Sequence, residues 1–255
     1  MSKTLIVVPC FNEETRLPRQ AFVDYAQAHP NVRFLMVNDG SSDGTAQLLD
    51  GLAAEHPRQF EALQLAKNGG KAEAVRQGFL HGIAQQPHQI GFWDADLATP
   101  LNAVDDFVAV MDAGAAVELV MGSRVQLLGR NIERHRGRHY FGRVAATAVS
   151  VMLDLPVYDT QCGAKLFRVN ENLAIIFGEA FLTRWVFDVE ILARWILLNQ
   201  GAPRSELQRR IHEMPLRQWT DVKGSRLKPT DFARAPMELL KIRRHYFGKG
   251  PFKLF

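Results

Sequence analysis

Three short apolar runs in the first hundred residues each end in carboxylates and turn residues, and this repetition constrains the fold more than any other feature. Leu5-Ile6-Val7-Val8 leads into Pro9-Cys10-Phe11-Asn12-Glu13-Glu14. Phe34-Leu35-Met36-Val37 leads into Asn38-Asp39-Gly40-Ser41-Ser42-Asp43-Gly44-Thr45, and Ile90-Gly91-Phe92-Trp93 into Asp94-Ala95-Asp96. The runs read as strands. Ala62 to Leu65 and Val117 to Met121 add two more, the latter ending in Gly122-Ser123-Arg124. Helical patterns fill the intervals. Pro18 to Ala28 has proline in its first turn, Asp43 to Glu55 has Asp43 or Ser42 to cap it, and Gly70 to Gly82 follows a glycine pair. Thr99 is placed to cap a helix begun by Pro100 and ending near Met111. Strand–helix alternation of this kind predicts an α/β fold with a mainly parallel, doubly wound sheet. In such a sheet the C-terminal edge of the strands is where ligands bind, and here three strands deliver carboxylates to it.

The second half is less regular. Leu127 to Arg138 is polar, basic and glycine-containing, and reads as a mobile loop. Tyr140 to Leu153 reads as a helix with a polar stripe of Arg143, Thr147, Ser150 and Asp154, suited to covering the sheet or to lying in a membrane interface. Ala164 to Val169 is expected to be a strand, Val186 to Leu198 a helix, Leu207 to Leu216 extended, and Pro229 to about His245 a final helix. The division expected is one domain over residues 1–228, followed by a basic amphipathic helix and tail over 229–255. With 255 residues, 47% of them hydrophobic and 23% charged, the chain has the composition of an ordinary folded protein. Its net charge of +4 is unevenly spread. Arg124, Arg130, Arg134, Arg136, Arg138 and Arg143 crowd one segment; Lys241, Arg243, Arg244, Lys249 and Lys253 crowd the C-terminus. Such runs are either a solvated face or a contact for phosphate or an anionic membrane surface. The only cysteines, Cys10 and Cys162, lie in separate motifs; no disulfide is expected, and a reducing cytoplasm fits. With the first strand starting near Thr4, no signal peptide is expected. No run of about 18 apolar residues is present to span a bilayer.

The carboxylates at the strand ends suggest specific chemistry. Asp39, just past a strand, can accept a hydrogen bond from uracil N3–H or guanine N1–H; the alternative for Asn38-Asp39-Gly40 is turn chemistry. Asp43 fits a cap better than a ligand contact. Asp94 and Asp96, two apart at a strand end, point to one face. As hard oxygen ligands they suit Mg²⁺ or Mn²⁺, which typically takes one or two carboxylates plus substrate phosphates. Such an ion neutralises charge on a departing nucleoside diphosphate. Lys67-Asn68-Gly69-Gly70-Lys71 opens a helix, where backbone approaches a ligand closely and anions are favoured; Lys71 then faces the nucleotide or simply the solvent. No Gly-x-Gly-x-x-Gly follows the first strand and there is no Walker A motif, which disfavours dinucleotide and P-loop folds. His135 and His139 lack a matching carboxylate for zinc. Together these features read as a nucleotide-sugar enzyme with no nucleic-acid partner.

The motifs resemble those of the family 2 glycosyltransferases, which have the GT-A fold. Asp94-Ala95-Asp96-Leu97-Ala98-Thr99, Gly122-Ser123-Arg124, Asp159-Thr160-Gln161-Cys162-Gly163-Ala164-Lys165-Leu166-Phe167, Arg184-Trp185-Val186-Phe187-Asp188-Val189-Glu190 and Gly224-Ser225-Arg226-Leu227 resemble in particular the dolichyl-phosphate β-glucosyltransferases, in order from residue 5 to about 247. The resemblance implies a GT-A, Rossmann-like domain with UDP-glucose as donor and a polyprenyl phosphate as acceptor. It places Pro9, Phe11, Glu13, Asp39 and Lys71 in the base pocket, Asp94 near ribose and diphosphate, Asp96 on the metal and Arg124 on a donor or acceptor phosphate. Two departures stand out. Ala98 takes the place of a glutamine that serves the metal in related mannosyl enzymes, and no counterpart of the N-terminal membrane helix of the eukaryotic glucosyl enzymes is expected. Tyr246-Phe247 and Phe252-Lys253-Leu254-Phe255 offer a weaker, peripheral anchor, consistent with a position at the cytoplasmic face of a membrane.

Displacement at an anomeric carbon passes through an oxocarbenium-like transition state. A hydroxyl acceptor needs a general base, for which Asp188 is the first candidate and Glu190 another. A phosphate monoester, with a second pKa near 6, is already largely a dianion at neutral pH. The work then shifts to holding two anions together, a task for forked arginines. Arg124, Arg130, Arg134, Arg136 and Arg138 form that pool, with Lys223, Ser225 and Arg226 in a glycine loop able to close over the site. With such an acceptor Asp188 instead orients the sugar or an arginine, or caps its helix. The competing readings are transfer to a soluble hydroxyl acceptor, a nucleotidyltransferase, and a non-catalytic nucleotide-sugar-binding protein.

Overall fold

The computed structural model describes residues 4–133, 146–222 and 229–248. Seven strands form one sheet in the order β3-β2-β1-β4-β7-β5-β8. They are β1 (Thr4–Cys10), β2 (Val32–Asn38), β3 (Phe60–Gln64), β4 (Gln89–Trp93), β5 (Leu119–Ser123), β7 (Ala164–Arg168) and β8 (Ile211–Pro215). Among the described strands only β7 runs antiparallel, paired on one side with β4 and on the other with β5. The helices are α1 (Arg19–Ala28), α2 (Thr45–Glu55), α3 (Lys71–Ile83), α4 (Asn102–Ala113), α5 (146–153), α6 (Glu171–Gly178), α7 (Phe187–Leu198), α8 (Arg204–Arg210) and α9 (Pro229–Tyr246). From β1 the chain winds outward through β2 to β3, then crosses back to place β4 on the other side of β1. That reversal opens a crevice at the C-terminal ends of β1 and β4, the switch point where open α/β sheets hold ligands.

Both faces of the sheet are covered, as a parallel sheet requires. Strand alternation sends Leu5, Val7, Val37 and Phe92 to one face, where α3, α6 and α7 supply Phe79, Phe177 and Phe187. Ile6, Val8, Phe34 and Met36 go to the other, against Phe22 of α1, Leu49 of α2 and Phe107 of α4. Phe79 stacks on Phe177 at 4.0 Å between ring centroids and meets Phe167 edge-on at 5.4 Å. Ile242 of α9 is fully buried, so the C-terminal helix packs against α7.

Several elements differ from expectation. Leu207 to Leu216 was expected to be extended, but its first part closes the short helix α8 before β8 begins at Ile211. Within the expected loop Leu127 to Arg138, Asn131–Glu133 forms a strand, β6, which pairs with β9 (Gln218–Thr220). Residues 134–138 lie outside the described region. Thr99 caps nothing: α4 starts at Asn102, and the Thr99 carbonyl instead accepts the Trp93 indole N–H at 2.8 Å. Helix α6 was missed, although Asn170 caps it through Leu173 N–H at 3.1 Å and an asparagine before an acidic first turn is a readable start signal.

Candidate active site

The loops after β1 and β2 are fastened to each other by reciprocal bonds. Asn12, at φ 49°, donates its N–H to Ser41 Oγ and accepts from Ser42 N–H; Glu13 N–H donates to Thr45 Oγ1 at 2.7 Å; Gly44 N–H donates to the Glu14 carboxylate at 3.0 Å. Asp43 accepts from Thr45 N–H and Oγ1 and from Glu14 N–H, which is turn chemistry; the N-cap of α2 is Gly44, not Asp43 or Ser42. Pro9 and Phe11 stay partly exposed at the mouth of the crevice, while Glu13 is buried.

Asp39 is only 2% exposed. Its Oδ1 accepts Gly69 N–H at 2.7 Å, and its Oδ2 accepts Gly70 N–H at 2.8 Å and the Asn68 amide at 3.0 Å. Burial pushes its pKa up further than these donors pull it down. Through these bonds it organises the loop that starts α3. Gly70 sits at φ +89°, where only glycine is unstrained. Arg184, exposed, lies across the same loop and donates to the Gly69 carbonyl at 3.1 Å.

Lys71, the first residue of α3, is partly exposed, and its ammonium meets Asp94 Oδ1 at 2.5 Å. Burial alone would lower its pKa, but the carboxylates of Asp94, Asp188 and Asp96 raise it on balance. Asp96 accepts Ala98 N–H at 3.1 Å, in a turn that puts Leu97 at φ 52°. Burial, and then the neighbouring Asp94 charge, push its carboxyl above the ordinary range. This pair carries excess negative charge, is partly open to solvent and already attracts one ammonium. It fits a hard divalent cation completed by ligand phosphates. Among the described residues no cluster of three or more metal-ligating side chains is present.

Arg124 leaves the end of β5, but its guanidinium forks Asp159, with Nε–Oδ2 at 2.7 Å and Nη2–Oδ1 at 2.8 Å. Its backbone N–H joins the same carboxylate, and Trp219 packs against it 5.4 Å from ring centroid to guanidinium carbon. The guanidinium is thereby held in a structural fork. Glu213 of β8 continues the tie by accepting Tyr158 and Asp159 N–H.

Asp188 is buried in the first turn of α7. It neither caps α7 nor faces an arginine; its Oδ1 meets Lys165 Nζ at 2.5 Å in the interior. Burial pushes its pKa up, against the pull of Lys165 and Lys71. Glu190, also named as a candidate base, is fully buried and accepts from Leu182 N–H, Arg194 and the Tyr246 hydroxyl. Of the expected acceptor group, Arg130 is exposed on the loop after β5; Arg134, Arg136, Arg138, Lys223, Ser225 and Arg226 lie outside the described residues.

The structure thus gathers Glu13, Asp39, Lys71, Asp94, Asp96, Arg124 and Asp188 around one sheet edge. Residues 5–173 match the family described as Glycosyl transferase family 2. A dolichyl-phosphate beta-glucosyltransferase of Drosophila melanogaster is 31% identical over 88% of this chain and 69% of its own length. A polyprenol monophosphomannose synthase of Mycolicibacterium smegmatis is 26% identical over 78% of this chain and 73% of its own. Among solved structures, glucosyl-3-phosphoglycerate synthase of Mycobacterium tuberculosis, in complex with Mn²⁺, UDP-glucose and phosphoglyceric acid, superposes with a TM-score of 0.65 at 14% identity, covering 98% of this chain and 81% of that one. The expected mixed, mainly parallel GT-A fold is thereby borne out.

Proposed function

This chain belongs to glycosyl transferase family 2, and we propose that it moves a hexose, glucose by preference, from UDP-glucose to a polyprenyl phosphate. The observation that carries this reading is the state of Asp188: the carboxylate nearest to serving as a base for a hydroxyl acceptor is buried and neutralised by Lys165. A phosphate acceptor needs no base, because it arrives largely as a dianion. The names of the Drosophila and Mycolicibacterium relatives support the same acceptor class.

On the donor side, Asp39 fixes the 68–70 loop, and Lys71 holds Asp94 beside Asp96. Mg²⁺ or Mn²⁺ bound by Asp96 and Asp94 would supply charge neutralisation for the departing diphosphate. On the acceptor side, Arg130 projects from a loop whose Leu127 and Leu128 are exposed, a pairing suited to a phosphate on an apolar chain. Among the described residues no helix is long and apolar enough to cross a membrane. We assign peripheral membrane contact, at the cytoplasmic face, to this loop and to α9, where exposed Met237 and Leu240 adjoin Lys241 and Arg244.

The test incubates purified protein with radiolabelled UDP-glucose, Mg²⁺ and a polyprenyl phosphate, then counts label in the organic phase. Label that appears there and vanishes in Asp96→Ala supports the proposal. UDP released with no organic label would refute the lipid acceptor.

A further inference from the structure

Lys165 is fully buried in the middle of β7, opposite Phe92 of β4 and Met121 of β5. All three of its ammonium protons are used, by the Thr160 carbonyl at 2.9 Å, the Cys162 carbonyl at 2.8 Å and Asp188 Oδ1 at 2.5 Å. The ammonium lies 5.1 Å from the Phe92 ring centroid, and Lys71 Nζ lies 5.8 Å from the same point. Two lysine–aspartate pairs therefore share one aromatic ring: Lys71–Asp94 at the mouth and Lys165–Asp188 beneath it. A buried ion pair is a poor way to stabilise a fold, since apolar side chains of similar volume do as well or better. Its presence in an otherwise apolar layer calls for a reason other than stability.

The reason lies in what the two carbonyls belong to. They bracket a tight turn, and the residue after it is Gly163. Its carbonyl accepts Asp94 N–H at 3.0 Å, and its Cα packs so closely on the Asp94 carboxylate that a Cβ would fall 1.8 Å from Oδ2. The far end of the turn is held by the Arg124–Asp159 fork, with Asp159 also accepting Gln161 N–H at 3.2 Å. Any shift of the turn is passed directly to Asp94. We infer that Lys165 is a positioning residue: by gripping Asp188 of α7 and the 160–162 turn together, it fixes the surface against which Asp94 rests at the donor site. This rests on the glycosyl-transfer reading.

The test compares wild type, Lys165→Met, Asp188→Asn and the Lys165→Met/Asp188→Asn double variant as full chains, by melting temperature and by kcat and KM for donor and acceptor. Lys165→Met strands a buried carboxylate and is expected to melt lower. The double variant removes that stranded charge, so its melting temperature is expected to return close to wild type. Its kcat is expected to stay roughly 10²-fold low with acceptor KM nearly unchanged, the size of effect that a displacement of about 1 Å produces. Recovery of kcat together with melting temperature would make Lys165 merely structural and overturn the inference. Failure of the double variant to fold would assign the pair to stability and do the same. Wild type inactive with every donor would instead overturn the functional reading and this inference with it.

Discussion

Gly163→Ala tests the geometry of the site with the smallest possible change. A methyl group at residue 163 would lie 1.8 Å from Asp94 Oδ2, 2.2 Å from Cγ and 2.7 Å from Oδ1, and real Cβ contacts essentially never fall under 3.0 Å. Something must move by about 1.2 Å, the gap between 1.8 and 3.0 Å. The turn is the stiffer partner, because Lys165 holds two of its carbonyls and Arg124 holds Asp159. The Asp94 carboxylate therefore yields, and its contact with Lys71 is disturbed. Overpacking of this kind costs about 1–3 kcal/mol, or a fall of roughly 2–12 °C in melting temperature at this chain length. Misplacement by about 1 Å lowers turnover by roughly 10²-fold. Gly51→Ala is the matched control: residue 51 lies inside α2 with nothing within 4 Å of a new Cβ. Removing a helix-interior glycine there is expected to stabilise by about 0.5–1 kcal/mol and leave activity intact. Differential scanning fluorimetry and the organic-phase transfer assay read both variants. A Gly163→Ala protein that melts with wild type and turns over at a comparable rate would refute the account of Asp94.

Two further outcomes concern groups away from the crevice. Tyr246 donates to Glu190 at 2.7 Å and accepts from Arg194 Nε at 2.8 Å, tying α9 to α7. Hydrogen bonds to charged groups contribute about 1.5–3 kcal/mol, so Tyr246→Phe should destabilise by that order. Burial, then the bond to Glu190, push the Tyr246 phenol up from 10.0 to about 12. Its contribution is therefore fully present below pH 10.0 and is lost as pH rises towards 12. Melts across that window should fall less steeply in Tyr246→Phe, and an unchanged slope would exclude the assignment. Cys162, which burial pushes up to about 11, and Cys10, also raised chiefly by burial, are both free and buried. Ellman's reagent near neutral pH should label neither thiol until the chain unfolds; rapid labelling of native protein would contradict their placement.

The fold was legible where local signals agreed with one another. Apolar runs flanked by turn residues gave β1, β2 and β4, and helical spacing gave α1, α3 and α7 to within a residue or two. Legibility failed where the structure depends on partners remote in sequence. Three residues such as Asn131–Glu133 become a strand only because Gln218–Thr220 lies alongside. Leu207 to Leu216 divides into α8 and β8 because β5 offers an edge from Leu119 to Ser123 but no further.

The site shows the same division more sharply. The acidic residues could be found, because strand ends followed by carboxylates are a local pattern, but their partners could not. Asp39, Arg124 and Asp188 are each held by protein groups that local pattern does not reveal: the 68–70 loop, Asp159 and Lys165. One signal for Lys165 was available. In Ala164-Lys165-Leu166-Phe167 alternation puts the lysine on the same face as Phe167, and a strand with both faces covered has no solvent to offer it. A lysine so placed requires a carboxylate from another element, and a carboxylate so used is lost to acid–base work. The antiparallel insertion of β7 supplies the rest. Because β7 runs against its neighbours, its N-terminal end, not its C-terminal end, reaches the ligand edge, and the 159–163 segment before it becomes the surface behind Asp94. A mainly parallel sheet was readable from the sequence. The reversed strand β7 that shapes the donor site was not, because orientation is decided by pairing with β4 and β5 and leaves no trace in the strand's own composition.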